Sequence, residues 1–336
     1  MKPTIQSIRL SSGIELPYAE RGDPAGVPIV FLHGVTDSWR SFEGVLPRLP
    51  ESIHAFALTQ RGHGDADKPP TGYRTRDFAG DVAAFLDAVE LEQAFLVGHS
   101  MGTTNALRFA IDHPERTLGL VLAGAFATYR GNPGLVEFCE NAIAPLADPV
   151  DPGFARDFQQ STLAQPIPGA FLETAVRESL KVPAYVWRAA FQGFLEDDFV
   201  SALGRVNAPT LILWGALDSF CPRADQDVLL AQIPDACLAV YEHAGHALHW
   251  EEPERFAADV LTFVEDRAAP SSPGISSAKQ TERVQRDADA SKIMATEIIP
   301  AATANPCCSL GPEIKAATLR PSTIPNREPV TKGSAI

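Results

Sequence analysis

The chain has 336 residues, enough for one large domain with an insertion or for two domains. Hydrophobic residues make up 45% of it, an ordinary share for a globular fold, and no apolar run reaches membrane-spanning length. A formal net charge of −14 argues against nucleic acid and anionic membrane as partners.

Residues 1–6 lack the apolar core of a secretory signal, which points to a cytoplasmic protein. Residues 5–10 and 14–20 read as short strands joined at Ser11-Ser12-Gly13. Residues 28–32 form a continuous apolar run, suited to a strand buried on both faces. It ends at His33-Gly34-Val35-Thr36-Asp37-Ser38, and the pattern over 39–49 predicts an amphipathic helix. A strand over 53–58 leads to Arg61-Gly62-His63-Gly64-Asp65. A helix over 75–89 places Phe78, Val82, Phe85, Leu86 and Val89 on one face. Strands over 94–97 and 118–123 flank a further helix that ends at His113-Pro114. The alternation implies a doubly wound, mostly parallel α/β sheet.

After Ala125 the rhythm changes. Proline-separated helical stretches over 134–143, 152–163, 169–181 and 184–194 imply a helical cap spanning 126–207. Its aromatics first serve the cap's own core. Alternation resumes with a strand over 210–214, a helix near 224–233, a strand over 237–241 and a helix from Pro253. The α/β core therefore comprises 1–125 and 208–267. Residues 268–336 contain no Phe, Tyr or Trp but hold eight prolines, so a disordered tail is expected there. The five cysteines show no C-x-x-C spacing, and free thiols in a reducing compartment account for them.

Chemistry concentrates at Gly98-His99-Ser100-Met101-Gly102, a G-x-S-x-G sequence between a strand and a helix. Flanking glycines allow a turn tight enough to raise the Ser100 hydroxyl clear of the sheet, facing the positive end of the helix. A serine hydroxyl needs a base oriented by a buried acid. Asp218 follows the strand over 210–214 and His246 follows the next strand, in the chain order that this elbow requires. Alone, Asp218 would read as a turn residue; paired with His246 at successive strand ends, it reads as the acid. The His243, His246 and His249 run is interrupted by Gly245, so no metal and no cofactor is assigned. Gly245 also favours His246 as the base. The oxyanion hole takes the N–H of Met101 and a second N–H from the loop after Leu32, for which Val35 is the best donor. Arg61 ties loops together at the sheet edge.

Residues 5–266 resemble the α/β-hydrolase fold superfamily, in its capped esterase, lactonase, epoxide-hydrolase and C–C-hydrolase branch. The resemblance rests on Phe31-Leu32-His33-Gly34, Arg61-Gly62-His63-Gly64, the Ser100 elbow, Trp214-Gly215-Ala216-Leu217-Asp218 and Gly245-His246. It implies catalytic roles for Ser100, Asp218 and His246, and oxyanion donation by Val35 and Met101. Serine at the elbow departs from the epoxide hydrolases and haloalkane dehalogenases of this branch, which carry Asp there. His99 stands where C–C hydrolases usually show Asn. Thr59 and Asp65 replace the Asp and Ser common around the Arg-Gly-His-Gly piece.

The activity so implied is hydrolysis of an ester or lactone of a small to medium uncharged small-molecule substrate, through an acyl-enzyme. The alternatives are C–C hydrolysis or cofactor-free perhydrolysis on the same triad, or a slow-turnover ligand-binding signalling protein. Trp39 and Phe126 stand where a side chain either walls the pocket or packs as core. The composition break yields a direct test. A chain ending at Arg267 is expected to keep its melting temperature and activity; loss of more than about 1 kcal/mol of stability would show that the tail packs on the body.

Overall fold

A computed structural model of the chain describes residues 2–268, so the tail expected over 268–336 lies, apart from Ala268, outside the described residues. Strands β1 (Thr4–Arg9) and β2 (Glu15–Arg21) form the antiparallel hairpin read from the sequence. The remaining strands are β3 (Val27–Leu32), β4 (Ile53–Leu58), β5 (Ala94–His99), β6 (Thr117–Ala123), β7 (Thr210–Gly215) and β8 (Ala236–Tyr241). They run parallel in one eight-stranded sheet of order β1-β2-β4-β3-β5-β6-β7-β8.

Side chains alternate between two apolar layers, as the strand period requires. Val30 and Leu32 pack with helices α1 (Thr75–Ala88) and α2 (Met101–Asp112) on one face. Ile29 and Phe31 pack on the other with the C-terminal helix Pro253–Ala268, through Phe256, Val260 and Val264. Burial on both faces explains why β4, β5 and β7, buried along their whole length, are mostly apolar. The chain leaves β3 for β4 on one side and returns to β5 on the other. That reversal opens a crevice at the carboxyl ends of β3 and β5.

One predicted element differs. The stretch over 39–49 is two 3-10 turns, Trp39–Phe42 and Leu46–Arg48, instead of one helix. Pro47 cannot donate a backbone hydrogen bond to a continuing helix. The helical insertion follows β6. It comprises α3 (Pro133–Phe138), α4 (Pro152–Ser161), α5 (Gly169–Ser179) and α6 (Ala184–Glu196), with a wide turn at Cys139–Ile143. Asn132 and Asp151 cap α3 and α4 by accepting from the N–H groups of Leu135 and Phe154. Helix α7 (Arg223–Gln232) joins β7 to β8, and the short α8 (Leu248–Glu251) precedes α9 (Pro253–Ala268). Cys139 and Cys221 are free thiols, whereas Cys237 is disulfide-bonded, which corrects the expectation of free thiols throughout. Among the described residues no helix is long and apolar enough to cross a membrane.

Arg61, just past β4, donates to both Asp81 carboxylate oxygens at 2.6 and 2.5 Å and to the Gly72 carbonyl at 3.0 Å. Burial holds the Asp81 carboxyl above its usual pKa despite this partner. Removing the guanidinium would leave a buried carboxyl without its cation, so Arg61→Ala is expected to cost about 3 kcal/mol in urea unfolding. Arg108→Ala, which breaks the more exposed pair with Asp112, is expected to cost less than about 1 kcal/mol. Equal losses would show that burial of the Arg61 pair is not what makes it matter.

Candidate active site

Ser100 links β5 to α2 with φ 50° and ψ −115°, a conformation that L residues rarely adopt and that must be held by its surroundings. Its N–H donates to the Ala123 carbonyl at 3.0 Å, and its own carbonyl accepts from Thr103 N–H at 2.8 Å. Both flanking glycines are sterically required. A Cβ on Gly98 would stand 2.4 Å from the Gly102 carbonyl oxygen, and one on Gly102 would stand 2.0 Å from that of Leu32. The turn is therefore tight, and α2 lies directly against the end of β3.

Asp218 and His246 meet from successive strand ends. His246 Nδ1 lies 2.8 Å from Asp218 Oδ2, and the carboxylate is fully screened from solvent. Asp218 Oδ1 accepts from the N–H groups of Phe220 and Cys221 at 2.8 and 2.9 Å. Burial alone pushes this carboxyl up. The charge and hydrogen bond of His246, with the two amides, outweigh that and bring it below the usual carboxylate range. A carboxylate at Nδ1 places the proton there and leaves Nε2 as the basic nitrogen. His246 and Ser100 line the same cavity.

The other two histidines of the run go elsewhere. His243 is exposed, and His249 Nε2 lies 2.9 Å from Ser41 Oγ. Among the described residues one group has the donors to hold a metal, Asp218, Cys221 and His246, all within 4.8 Å of one another. Those atoms already serve one another or nearby backbone, with Cys221 Sγ donating to the Gly124 carbonyl at 3.3 Å.

The loop after β3 is held by a buried polar chain that local sequence does not signal. Gln60 N–H donates to His33 Nε2 at 2.9 Å, so the ring proton sits on Nδ1 and is donated to the Gly34 carbonyl at 2.7 Å. Gln60 Nε2 donates to the His33 carbonyl, and Asn105 of α2 donates to Gln60 Oε1. Burial, reinforced by nearby His63, holds His33 far below its usual pKa, so the ring is neutral and works as a strut. Val35 thereby reaches the cavity wall, across from the first turn of α2. Met101 begins α2, so its N–H has no acceptor within the helix.

A cavity lies between the sheet's carboxyl edge and the helical insertion. Tyr129, Leu135, Phe158, Phe191, Phe194 and Phe220 supply most of its apolar wall, and Asp37, Gln159 and Thr162 a polar one. Phe126 stands one layer back, stacked on Tyr129 with ring centroids 3.6 Å apart. Trp39 lies away from the cavity. It packs in the apolar layer under the sheet because its 3-10 turn faces inward, with Arg40 over its ring. Glu251 fastens the helical insertion to the His246 loop: its carboxylate accepts from Gly245 N–H at 2.7 Å and from Gln165 N–H at 3.0 Å.

A family model described as the alpha/beta hydrolase fold matches residues 27–253. The chain is 30% identical over 285 residues to a 2-hydroxymuconate semialdehyde hydrolase from Pseudomonas sp. (strain CF600), covering 80% of this chain and 96% of the relative. It is 29% identical over 267 residues to a 2-(acetamidomethylene)succinate hydrolase from Mesorhizobium japonicum, covering 75% and 92%. The solved esterase RhEst1 from Rhodococcus sp. ECU1013 superposes with a TM-score of 0.68 at 27% identity, over 79% of this chain and 99% of that one.

Gly124 exposes a constraint that the sequence does not announce. It has φ +58°, and a Cβ there would stand 2.9 Å from His246 Nδ1. Gly124→Ala is therefore expected to push the imidazole off Asp218. It should lower kcat at least tenfold, with a smaller change in KM. A variant with wild-type kcat would show that the ring tolerates the methyl group.

Proposed function

The chain belongs to the α/β-hydrolase fold family, and on that footing we propose that it is a serine hydrolase cleaving a carboxylic ester or lactone through an acyl-enzyme. The reading is carried by one observation: a strained serine and a carboxylate-paired histidine, drawn from distant strand ends, open on one cavity. His246 Nε2 takes the Ser100 proton as Oγ attacks the substrate carbonyl, and Asp218 stabilises the imidazolium that forms. The N–H groups of Val35 and Met101 donate to the oxyanion, helped by the positive end of α2. The imidazolium then protonates the leaving alkoxide. In the second half His246 activates water, which releases the acid and returns the proton to Ser100.

The lining supports a neutral substrate. Among the described residues no Lys or Arg lines the cavity, so a substrate carboxylate would have no cation there to pair with when water is displaced. Two of the relatives are named for a succinate and a muconate semialdehyde, both of which bear carboxylate. The aromatic wall instead matches a medium-sized apolar acyl or alcohol group.

A chain-length series of p-nitrophenyl esters tests the assignment. Ser100→Ala and His246→Ala are each expected to lower kcat by several orders of magnitude with unchanged melting temperature, since the triad acts as a unit. Asp218→Asn is expected to cost about a thousandfold or more. Mass spectrometry of a quenched reaction should find the acyl group on Ser100. Full activity in Ser100→Ala would exclude the mechanism.

A further inference from the structure

Asp37 has no place in the chemistry above, yet it shares the cavity with Ser100 and His246. It lies two residues past Val35 and is only 4% exposed. Its Oδ1 accepts from Gln159 Nε2 of α4 at 2.9 Å, and its Oδ2 accepts from Ser41 Oγ at 3.2 Å. A Cβ on Gly34 would stand 3.2 Å from Oδ2, so the carboxyl rests directly against the oxyanion loop. Among the described residues no lysine or arginine forms an ion pair with it. The nearby cations are engaged by Glu178, which pairs with Lys181 at 2.9 Å and Arg40 at 3.8 Å.

We propose that Asp37 sets the charge of the substrate: its unpaired carboxyl excludes esters that bring a second carboxylate into the cavity and admits neutral ones. This deepens the serine-hydrolase reading of the same site and rests on it. A like charge confined a few ångströms from Asp37, with water displaced, is repelled far more strongly than in bulk solvent. The competing role is a latch, since Gln159 joins Asp37 to the cap. A latch would affect every substrate alike, whereas a charge filter discriminates between substrates of equal shape.

Burial raises the Asp37 pKa to about 7, against the hydrogen bonds from Gln159 and Ser41 and the influence of His246; Glu178 adds to the rise. The other groups facing this region are His99 of the elbow, His249 behind Ser41, and Arg40, which is held by Glu178. Below about pH 7 the carboxyl is neutral and the filter relaxes; above it the filter is fully set.

Ethyl hexanoate and monoethyl adipate differ only by a terminal carboxylate, and ethanol release reports both. The wild-type protein is expected to prefer the neutral ester in kcat/KM by about tenfold or more at pH 8, and by less at pH 6. Both esters depend on the same base, so its titration cancels in the ratio. Asp37→Asn keeps the shape and the acceptor for Gln159 but removes the charge; it should reduce the preference several-fold and make it independent of pH. Asp37→Ser serves for the same comparison if the amide variant does not fold. A wild-type ratio that neither variant alters overturns the assignment alone. Failure of the wild-type protein to hydrolyse either ester overturns it together with the hydrolase reading.

Discussion

The contact between the start of α2 and the end of β3 is the constraint on which the site depends. Gly102 sits so close to the Leu32 carbonyl that any side chain would collide with it. This approach forces Ser100 into its left-handed conformation, and it brings the first N–H of α2 beside the loop that carries Val35. One steric fact thus positions both the Ser100 hydroxyl and the start of α2 against that loop. The cost of the strained backbone is offset by the packing of α2 in the apolar layer, where Leu107, Phe109 and Ile111 are buried.

Buried histidines supply most of the remaining precision, and their neutrality is what makes them suitable. Burial lowers the pKa of His33, His63, His99 and His249, so none adds a charge that would need a counterion. A neutral ring donates at one nitrogen and accepts at the other. His33 uses both to join Gly34 to Gln60, and His99 Nε2 lies 3.1 Å from the His246 carbonyl, which accepts its proton. Among the rings around the cavity, His246 alone has a carboxylate on one nitrogen. That difference sets His246 apart from the other buried rings.

The helical insertion and the cavity beside Ser100 draw on the same apolar cluster. Val35 and Met101 pack with Tyr129, Trp187, Phe191 and Phe194, and several of these also line the cavity. The shape of the cavity and the packing of the insertion are therefore coupled, and substitutions at these positions will not act additively. The polar seam of Thr36, Asp37, Gln159 and Ser179 joins the helical insertion to the loop after β3 through fully buried hydrogen bonds. Such a seam holds one cap orientation, because any other would leave those groups without partners.

The sequence by itself determined the order of strands and helices, the helical insertion and the succession of Ser100, Asp218 and His246 at strand ends. These follow from short-range rules: apolar runs for buried strands, a 3.6-residue period for helices, and glycines flanking a turn. The meeting of Asp218 with His246 was legible too, because parallel strands place their following loops at one sheet edge. The reading failed at Trp39, where the apolar period matched a helix but Pro47 and inward packing produced two 3-10 turns. Only the tertiary structure decided the roles of Gly124, Gln60, Asn105, Glu251 and Asp37. Each acts on a partner distant in sequence, at a separation no local pattern encodes: Gly124 makes room for His246, Gln60 holds His33, and Asp37 meets Gln159 of the cap. The shape and charge of the cavity depend on such contacts, because its walls come from loops and helices that meet only after the sheet has formed.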